Sequence, residues 1–439
     1  MSKRIQRNFK IDNPKEFKQK LFSWAKQFET AIWLDSNNYE QKYSSFDCCL
    51  AADEFTSIKT DYLNAFDKLK EYQSYTKDYL FGYISYDVKN DVEKLNSTNF
   101  DGLHFPDLYF FQPQKLIFIK GDIVEFHYLQ MIDDELEEDF EDILTSAIIH
   151  QKEEKSETEF NDIKIKLRIH KDEYHQKVTS VLKHIHRGDI YEANFCQEFY
   201  AENTTINPYK IYSQLNDIST PPFATFFKHE NFYLLSATPE RYLKKEHQKI
   251  ISQPIKGTAK RFISKVEDAK IAFDLSRDEK ERSENIMIVD LVRNDLSKTA
   301  KKGSVQVEEL CKVYPFKQVH QMISTVVSEI TPNTHPVDVI KDTFPMGSMT
   351  GAPKVSAMKI IEELEETKRG LYSGTVGYFT PNNDFDFNVI IRSILYNTEK
   401  KYVSYSVGGA ITAKSTPEKE YEECLLKAKA MKYVLQNSK

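Results

Sequence analysis

Four aromatic-rich segments with strand character crowd the first third of the chain, and they restrict its fold more than any other feature. They are TAIWLDS (30–36), YLFGYISYDV (79–88), DLYFFQPQKLIFI (107–119) and IVEFHYLQMI (123–132). Backbone donors and acceptors in such strands must be met by neighbouring strands, so the N-terminal part is expected to be β-rich. After KIKLRI (164–169), strand and helix signals alternate. Tyr174, Val178, Val181, Leu182 and Ile185 share one helical face over 171–187, and Gly188 follows as a stop. NFYLLSATPERYL (231–243) reads as a strand running into a proline turn, and 278–298 as a helix. Another helix spans 355–366, opened by Pro353. FDFNVIIRSILYN (385–397) and KYVSYSVGGAIT (401–412) read as two late strands. Thr416 is the expected N-cap of a last helix that starts at Pro417. The fold class expected is α+β.

A length of 439 residues is compatible with two to four ordinary domains or one large unit. The compositional break at 133–162 is dominated by Asp and Glu. It reads as a solvated helix face and linker between a β-rich region, 1–132, and a region spanning 163–439. Lys plus Arg is 60 against 67 Asp plus Glu, a formal charge of −7, so non-specific nucleic-acid binding is disfavoured. No apolar stretch is long enough for a membrane span, and none follows the basic N-terminus as in a secretion signal. Cys48, Cys49, Cys196, Cys311 and Cys424 form no C-x-x-C pair. Reduced thiols and a cytoplasmic location are expected.

Glycine is scarce, yet seven of the thirteen glycines lie at 347, 351, 370, 374, 377, 408 and 409. Glycine serves where φ is positive or where something approaches the backbone closely, so this region is a candidate ligand site as well as a set of tight turns. GSMTGAPK (347–354) precedes a helix but lacks the P-loop pattern, and it suits a small carboxylate better than a nucleotide phosphate. Two glutamate pairs at a spacing of three, Glu281/Glu284 and Glu420/Glu423, each share a helix face. Such pairs are commonly solvated. Two such faces meeting would make an all-oxygen site suited to Mg²⁺. Lys256 precedes a Gly-Thr turn in QPIKGT (253–258), and Glu240 ends an apolar strand in SATPERY (236–242). A lysine among apolar neighbours can be lowered in pKa enough to act as a nucleophile, with a glutamate moving protons; both residues could equally be surface ions on turns. The chain has no G-x-S-x-G turn, which disfavours ester or amide hydrolysis.

The ordered motifs PIKGT, ENIMIVDLVRNDLS, MGSMTGAPK, RGLYSGTVGY, VIIRSI, GGAIT and PEKEYEECLLKA resemble those of the chorismate-utilising enzymes. That family includes anthranilate synthase component I, aminodeoxychorismate synthase component I, isochorismate synthase and salicylate synthase. The resemblance runs from about Lys171 onward, with weaker echoes in AIWLDSN and FGYISYDV. It implies the anthranilate-synthase-component-I-like fold, two stacked and largely antiparallel β-sheets flanked by helices, with Mg²⁺ in a cleft and chorismate as substrate. Glu284 and Glu423 match metal-ligand positions, with Glu281 and Glu420 beside them. Tyr372, Arg392, Gly408 and Gly409 match positions that bind substrate carboxylates, and Lys354 and His320 are counted among the substrate-binding residues.

Within the family, PIKGT resembles aminodeoxychorismate synthases, whereas anthranilate synthases look like PIAGT. The resemblance implies that Lys256 attacks ring carbon 2 and expels the 4-hydroxyl, and that ammonia then displaces it at carbon 4. Glu240 would be the acid/base and Thr258 would help to hold the ring substituent. Glu192 stands where water-using members carry a lysine and many nitrogen-using members a glutamine. Gln321 falls where anthranilate synthases have histidine, with His320 one residue earlier. A separate glutamine amidotransferase subunit is expected to feed ammonia. Leu34, Asp35 and Ser36 resemble a tryptophan-binding region of relatives, and they also suit an ordinary edge strand. The other readings are anthranilate synthase component I and an inactive relative acting as a regulatory or assembly subunit.

Overall fold

The computed structural model describes residues 4–39, 42–148, 163–317 and 319–437. Among the described residues the strands form two continuous sheet layers, and the pairings between strands are antiparallel. The larger sheet runs, neighbour by neighbour, through Glu192–Ala201, Tyr402–Thr412, Ser393–Asn397, Phe232–Thr238, Phe223–His229, Thr30–Asp35, Cys48–Thr60, Leu108–Lys120, Ile123–Leu129 and Arg4–Lys10. A smaller sheet runs through Leu80–Ile84, Thr375–Phe379, Phe385–Val389, Arg241–Glu246, Lys249–Gln253 and Val319–Glu329. Ile255–Lys260 and Gln306–Pro315 flank its last strand. The long strand Leu108–Lys120 also pairs with Leu80–Ile84, and so joins the two sheets.

Side-chain alternation stacks them. Ile32 and Leu34 join Phe81, Tyr83, Phe227, Leu234, Val376 and Tyr378 in a core made by both sheets. Their neighbours Ala31 and Trp33 face the opposite way, into a core shared with the helices Pro14–Trp24, Lys171–Arg187, Pro208–Ser219 and Pro417–Gln436. A third core packs Ala65–Thr76, Glu279–Ser297 and Pro336–Thr343 on the outer face of the smaller sheet. The resulting order is helix, sheet, sheet, helix, which agrees with the α+β expectation.

Two boundaries differ from the sequence reading. The segment read as a linker from 133 begins with the helix Leu136–Thr145, whose Leu136 and Ile143 are buried in the helix-covered core. Its later part, 149–162, lies outside the described residues. The expected single strand 385–397 is two strands, Phe385–Val389 in the smaller sheet and Ser393–Asn397 in the larger. The chain crosses between the sheets at Arg392, whose φ of 53° is the left-handed conformation an L-residue rarely adopts.

A buried ion pair fixes the elements that frame this crossing. Arg369 donates to Glu365 at 2.7 and 2.9 Å and to the carbonyls of Met349 and Asn194, both at 2.6 Å. Glu365 in turn accepts the Cys196 N–H at 2.8 Å. With side-chain exposures of 3% and 4%, neither charge has water to fall back on. Arg369→Met is therefore expected to cost about 3–5 kcal/mol, because it leaves Glu365 buried and unpaired. Denaturant unfolding checks this, and an unchanged midpoint would refute it.

Candidate active site

Lys256 lies on the strand Ile255–Lys260, and its carbonyl accepts a hydrogen bond from Asn285 of the helix Glu279–Ser297 at 3.1 Å. Gly257, with φ of 102°, bends the strand so tightly against that helix that a Cβ there would come within 3.2 Å of Glu281 Oε2. Lys256 Nζ lies 3.4 Å from Glu192 Oε1, across the cleft. Burial alone would lower the Lys256 pKa, but the carboxylates of Glu192, Glu284 and Glu423 outweigh it and leave the ammonium above its ordinary value. The apolar environment expected for this lysine is thus replaced by an acidic one.

The two glutamate pairs meet here. Glu281 and Glu284 come from Glu279–Ser297, and Glu420 and Glu423 from Pro417–Gln436. Gly409 opens the larger sheet beside the second pair, since a Cβ on it would lie 3.2 Å from Glu420 Oε2 and 3.7 Å from Glu423 Oε1. Glu281, Glu284 and Glu420 are all raised in pKa, first by burial and then by neighbouring carboxylates. Glu423 is lowered: burial opposes this, and Lys427, 2.6 Å away, overcomes it. Lys280 lies 3.8 Å from Glu284. Among the described residues, no three acidic or other ligand side chains converge closely enough to hold an ion as they stand. The donor chemistry nevertheless fits a hard divalent cation: four carboxylates, partly dehydrated and mutually repelling, are answered by lysines at their margins and, at Glu420, by Ser415.

Glu240 begins the turn between Phe232–Thr238 and Arg241–Glu246 and is buried at 5% exposure. Burial pushes its carboxyl up to about 7, although Ser348, donating to Oε1 at 2.7 Å, Lys256 and the Ile255 N–H all favour the anion. Ser348 belongs to the GSMTGAPK turn, whose Gly351 and Ala352 pair with Ala193 and Glu192. The turn thus serves as a strand and as a hydroxyl donor. The motif signalled importance, but residue type alone did not single out its serine.

Arg392 and Tyr372 stand together on the inter-sheet side. Burial lowers the Arg392 pKa against the pull of Tyr372 and Glu423, and among the described residues no carboxylate pairs with its guanidinium. A half-buried, unpaired arginine is the natural partner of an incoming carboxylate. The Tyr372 hydroxyl, itself raised by burial, lies 3.6 Å from Cys196 Sγ. Gly408 pairs with Cys196 in register, and a Cβ on it would lie 2.3 Å from the sulfur, so this glycine permits the close strand approach. Its carbonyl accepts from Lys427 at 2.8 Å.

Two expected substrate ligands are engaged elsewhere. Lys354 Nζ donates to Asp295 at 2.6 Å and to the Thr343 carbonyl at 3.1 Å, which makes it a buried tie between helices. His320 meets Asp268 at 3.0 Å and turns from the cleft, because alternate strand residues face opposite ways. Gln321 faces the other side, opposite Thr258, which is exposed, and its buried Oε1 has no hydrogen-bond partner. Leu34, Asp35 and Ser36 line a separate small cavity of about 40 Å³ with Phe223, Arg241 and Asn388. Ser36 Oγ and Asn388 Oδ1 are buried there without partners, while Asp35 is held by Lys18 at 2.5 Å.

The family model described as chorismate binding enzyme matches residues 29–433. The chain belongs to the chorismate-binding enzyme family. Among its relatives, aminodeoxychorismate synthase component 1 of Bacillus subtilis is 32% identical over 368 residues, 81% of this chain and 77% of that protein. Anthranilate synthase component 1 of Aquifex aeolicus is 33% identical over 371 residues, 80% and 73% of the two. A probable chloroplastic aminodeoxychorismate synthase of Oryza sativa is 43% identical over 264 residues, 59% of this chain but only 29% of that longer protein. The crystal structure of anthranilate synthase component I from Streptococcus pneumoniae superposes with a TM-score of 0.76 at 25% identity, covering 90% of this chain and 93% of that one. The family fold and the two-sheet architecture agree.

Proposed function

We propose that this chain is the amination component of an aminodeoxychorismate synthase, converting chorismate and ammonia to 4-amino-4-deoxychorismate, the precursor of 4-aminobenzoate and folate. The observation that carries this reading is the placement of an amine, Lys256, between the acid/base candidate Glu240 and the carboxylate cluster. Lys256, once deprotonated, attacks ring carbon 2 while Glu240 protonates the departing 4-hydroxyl; ammonia then attacks carbon 4 and releases the lysine. Arg392 and Tyr372 would hold substrate carboxylates, with the backbone at Gly408 and Gly409 beside them. Thr258, on the same strand as Lys256, would help to hold the ring's substituent.

Glu284 and Glu423 would hold Mg²⁺, with Glu281 and Glu420 completing its surroundings. A bound Mg²⁺ supplies charge neutralisation that lets a substrate carboxylate approach the four glutamates. A separate glutamine amidotransferase supplies ammonia in this reading, and free ammonium replaces it in vitro. The cytosol is the expected compartment, in keeping with five buried free cysteines. Among the described residues, no helix is long and apolar enough to cross a membrane. The cavity at Leu34, Asp35 and Ser36 falls in the region that resembles the tryptophan-binding segment of relatives, and calorimetric titration with tryptophan tests whether that property is shared.

Mass spectrometry of the products from chorismate, Mg²⁺ and ammonium tests the main reading. A product that retains the enolpyruvyl group and becomes 4-aminobenzoate only with an added lyase supports it. Anthranilate and pyruvate would favour the alternative that the Aquifex aeolicus relative represents.

Lys256 must be neutral to attack and is raised above its ordinary value, whereas Glu240 must carry a proton and is pushed up to about 7, so kcat at saturating ammonium is expected to rise up to about pH 7 and to level off above it. Ser348→Ala removes a hydrogen bond to the carboxylate form, so the break is expected to move to higher pH. A break that stays in place in this variant would show that Glu240 does not set the profile.

A further inference from the structure

Asp295 and Lys354 carry charges that the amination reading has not used. They belong to the motifs VRNDLS and MGSMTGAPK, and both side chains are less than a tenth exposed. Asp295 Oδ2 accepts from Lys354 Nζ at 2.6 Å, and Oδ1 from Lys298 Nζ at 3.2 Å, so two ammonium groups answer one carboxylate. A pair this buried is costly to assemble, and apolar side chains would tie the same helices together as well.

Asp295 and Glu240 are walls of one closed cavity of about 20 Å³. Ser348, Ser252 and Thr343 complete its polar lining, among apolar residues that include Val292. The hydroxyl protons of that lining are already spent: Ser348 donates to Glu240 at 2.7 Å, Ser252 to the Tyr242 carbonyl at 2.8 Å, and Thr343 to the Val339 carbonyl at 2.9 Å. The Tyr242 hydroxyl meets Thr343 Oγ1 at 2.6 Å. What the cavity offers a guest is therefore lone pairs, on two carboxylates and on hydroxyl oxygens, and such a space suits a molecule that donates. One water needs about 10–15 Å³ and two to four polar partners, which this cavity provides. Asp295 already holds two cations, so a neutral donor suits it better than a third.

We propose that this cavity holds a water that donates to both Glu240 and Asp295, and that Asp295 with its lysines is thereby a positioning element for the acid/base. The assignment rests on the amination reading above. Once Glu240 has given its proton to the departing 4-hydroxyl, a carboxylate is left in a site that is 5% exposed, with Ser348, the Ile255 N–H and the Lys256 charge to favour it. The water adds one more donor, and Asp295 fixes it by accepting its second hydrogen. Lys354 and Lys298 neutralise Asp295, so that the residue orienting the water does not repel the charge forming on Glu240. The water is not consumed, and the proton transferred is that of Glu240.

Val292→Leu adds a methylene group to the cavity wall and is expected to expel the water without touching either carboxylate. In this variant the break in the pH dependence of kcat should move up by about one pH unit, the weight of one hydrogen bond to a charged group, while KM for chorismate changes little. Lys354→Met, which leaves Asp295 with Lys298 alone, should move the break in the same direction. A crystal structure of the wild-type protein should show one ordered water within hydrogen-bond distance of both carboxylates. A dry cavity would overturn the proposal. So would a Val292→Leu protein with a higher Tm and an unmoved break, which is the result expected of a mere packing gap. A break unmoved in Lys354→Met would overturn the part given to the lysines. Wild-type protein that forms anthranilate or no aminated product would refute the amination reading itself, whereas amination with a break indifferent to Val292→Leu refutes this assignment alone.

Discussion

Lys256→Ala is expected to abolish formation of 4-amino-4-deoxychorismate, with a loss of at least about a thousandfold in kcat, because no second amine can take over the attack on carbon 2. Two other buried or half-buried lysines are engaged: Lys427 with Glu423 and the Gly408 carbonyl, and Lys354 with Asp295. Lys280 lies one helical turn before Glu284, at 3.8 Å from its carboxylate. Substitution should leave the fold intact, since the side chain is 17% exposed and fills no apolar core. The raised pKa gives a second handle. The carboxylates of Glu192, Glu284 and Glu423 outweigh burial and favour the ammonium of Lys256, so it must lose a proton before it attacks. Wild-type protein quenched in turnover should therefore show an adduct on the peptide that contains Lys256, and the alanine variant should show none. A variant that still aminates chorismate would remove Lys256 from the mechanism. One that switches to anthranilate would leave the lysine a role in choosing the position of amination only.

What the sequence disclosed, and what it hid, follows from how local each signal is. The helix Lys171–Arg187 was legible because its apolar face repeats at helical spacing and Gly188, with φ of 90°, closes it. The two ExxE pairs were legible as candidates, but their convergence was not, because it depends on a strand turn at Gly257 and an opening at Gly409 that belong to other elements. The break inside 385–397 was hidden for the opposite reason. Ile390 and Ile391 continue the apolar run, so nothing local announces that Arg392 takes a left-handed backbone and carries the chain from one sheet to the other. That crossing brings Arg392 near Tyr372 and Glu423. The buried partners of Lys354 and His320 were not legible, because residue type and motif cannot reveal a partner far away in sequence, Asp295 in one case and Asp268 in the other. Thr416 is the N-cap by position but makes no side-chain capping bond. Family resemblance supplied the roles of the glutamates, and packing supplied Ser348 and the cavity beside Glu240.

Glu284→Gln is expected to separate stability from activity in a way that only a metal-site carboxylate does. Its pKa is raised, first by burial, with Glu192 and Glu423 adding to the shift against Lys256 and Lys280. A carboxyl raised in the folded state binds its proton more tightly there than in the unfolded chain. Its ionisation therefore lowers stability as pH rises through the unfolded value toward the folded one, and that loss is complete above the folded value. Neutralising the side chain should consequently leave the Tm of chelator-treated protein unchanged or raise it. Mg²⁺ binds only the folded cluster, so it should raise the wild-type Tm in a concentration-dependent manner, and the variant should lose most of that rise. Chorismate turnover should fall by about a hundredfold or more in the same variant, since the substrate carboxylate would then meet the remaining glutamates with its counter-charge weakened. A variant less stable than wild type without metal would mark Glu284 as structural. Intact turnover after Mg²⁺ is restored would place the cation, and with it the substrate carboxylate, somewhere other than between these two helices.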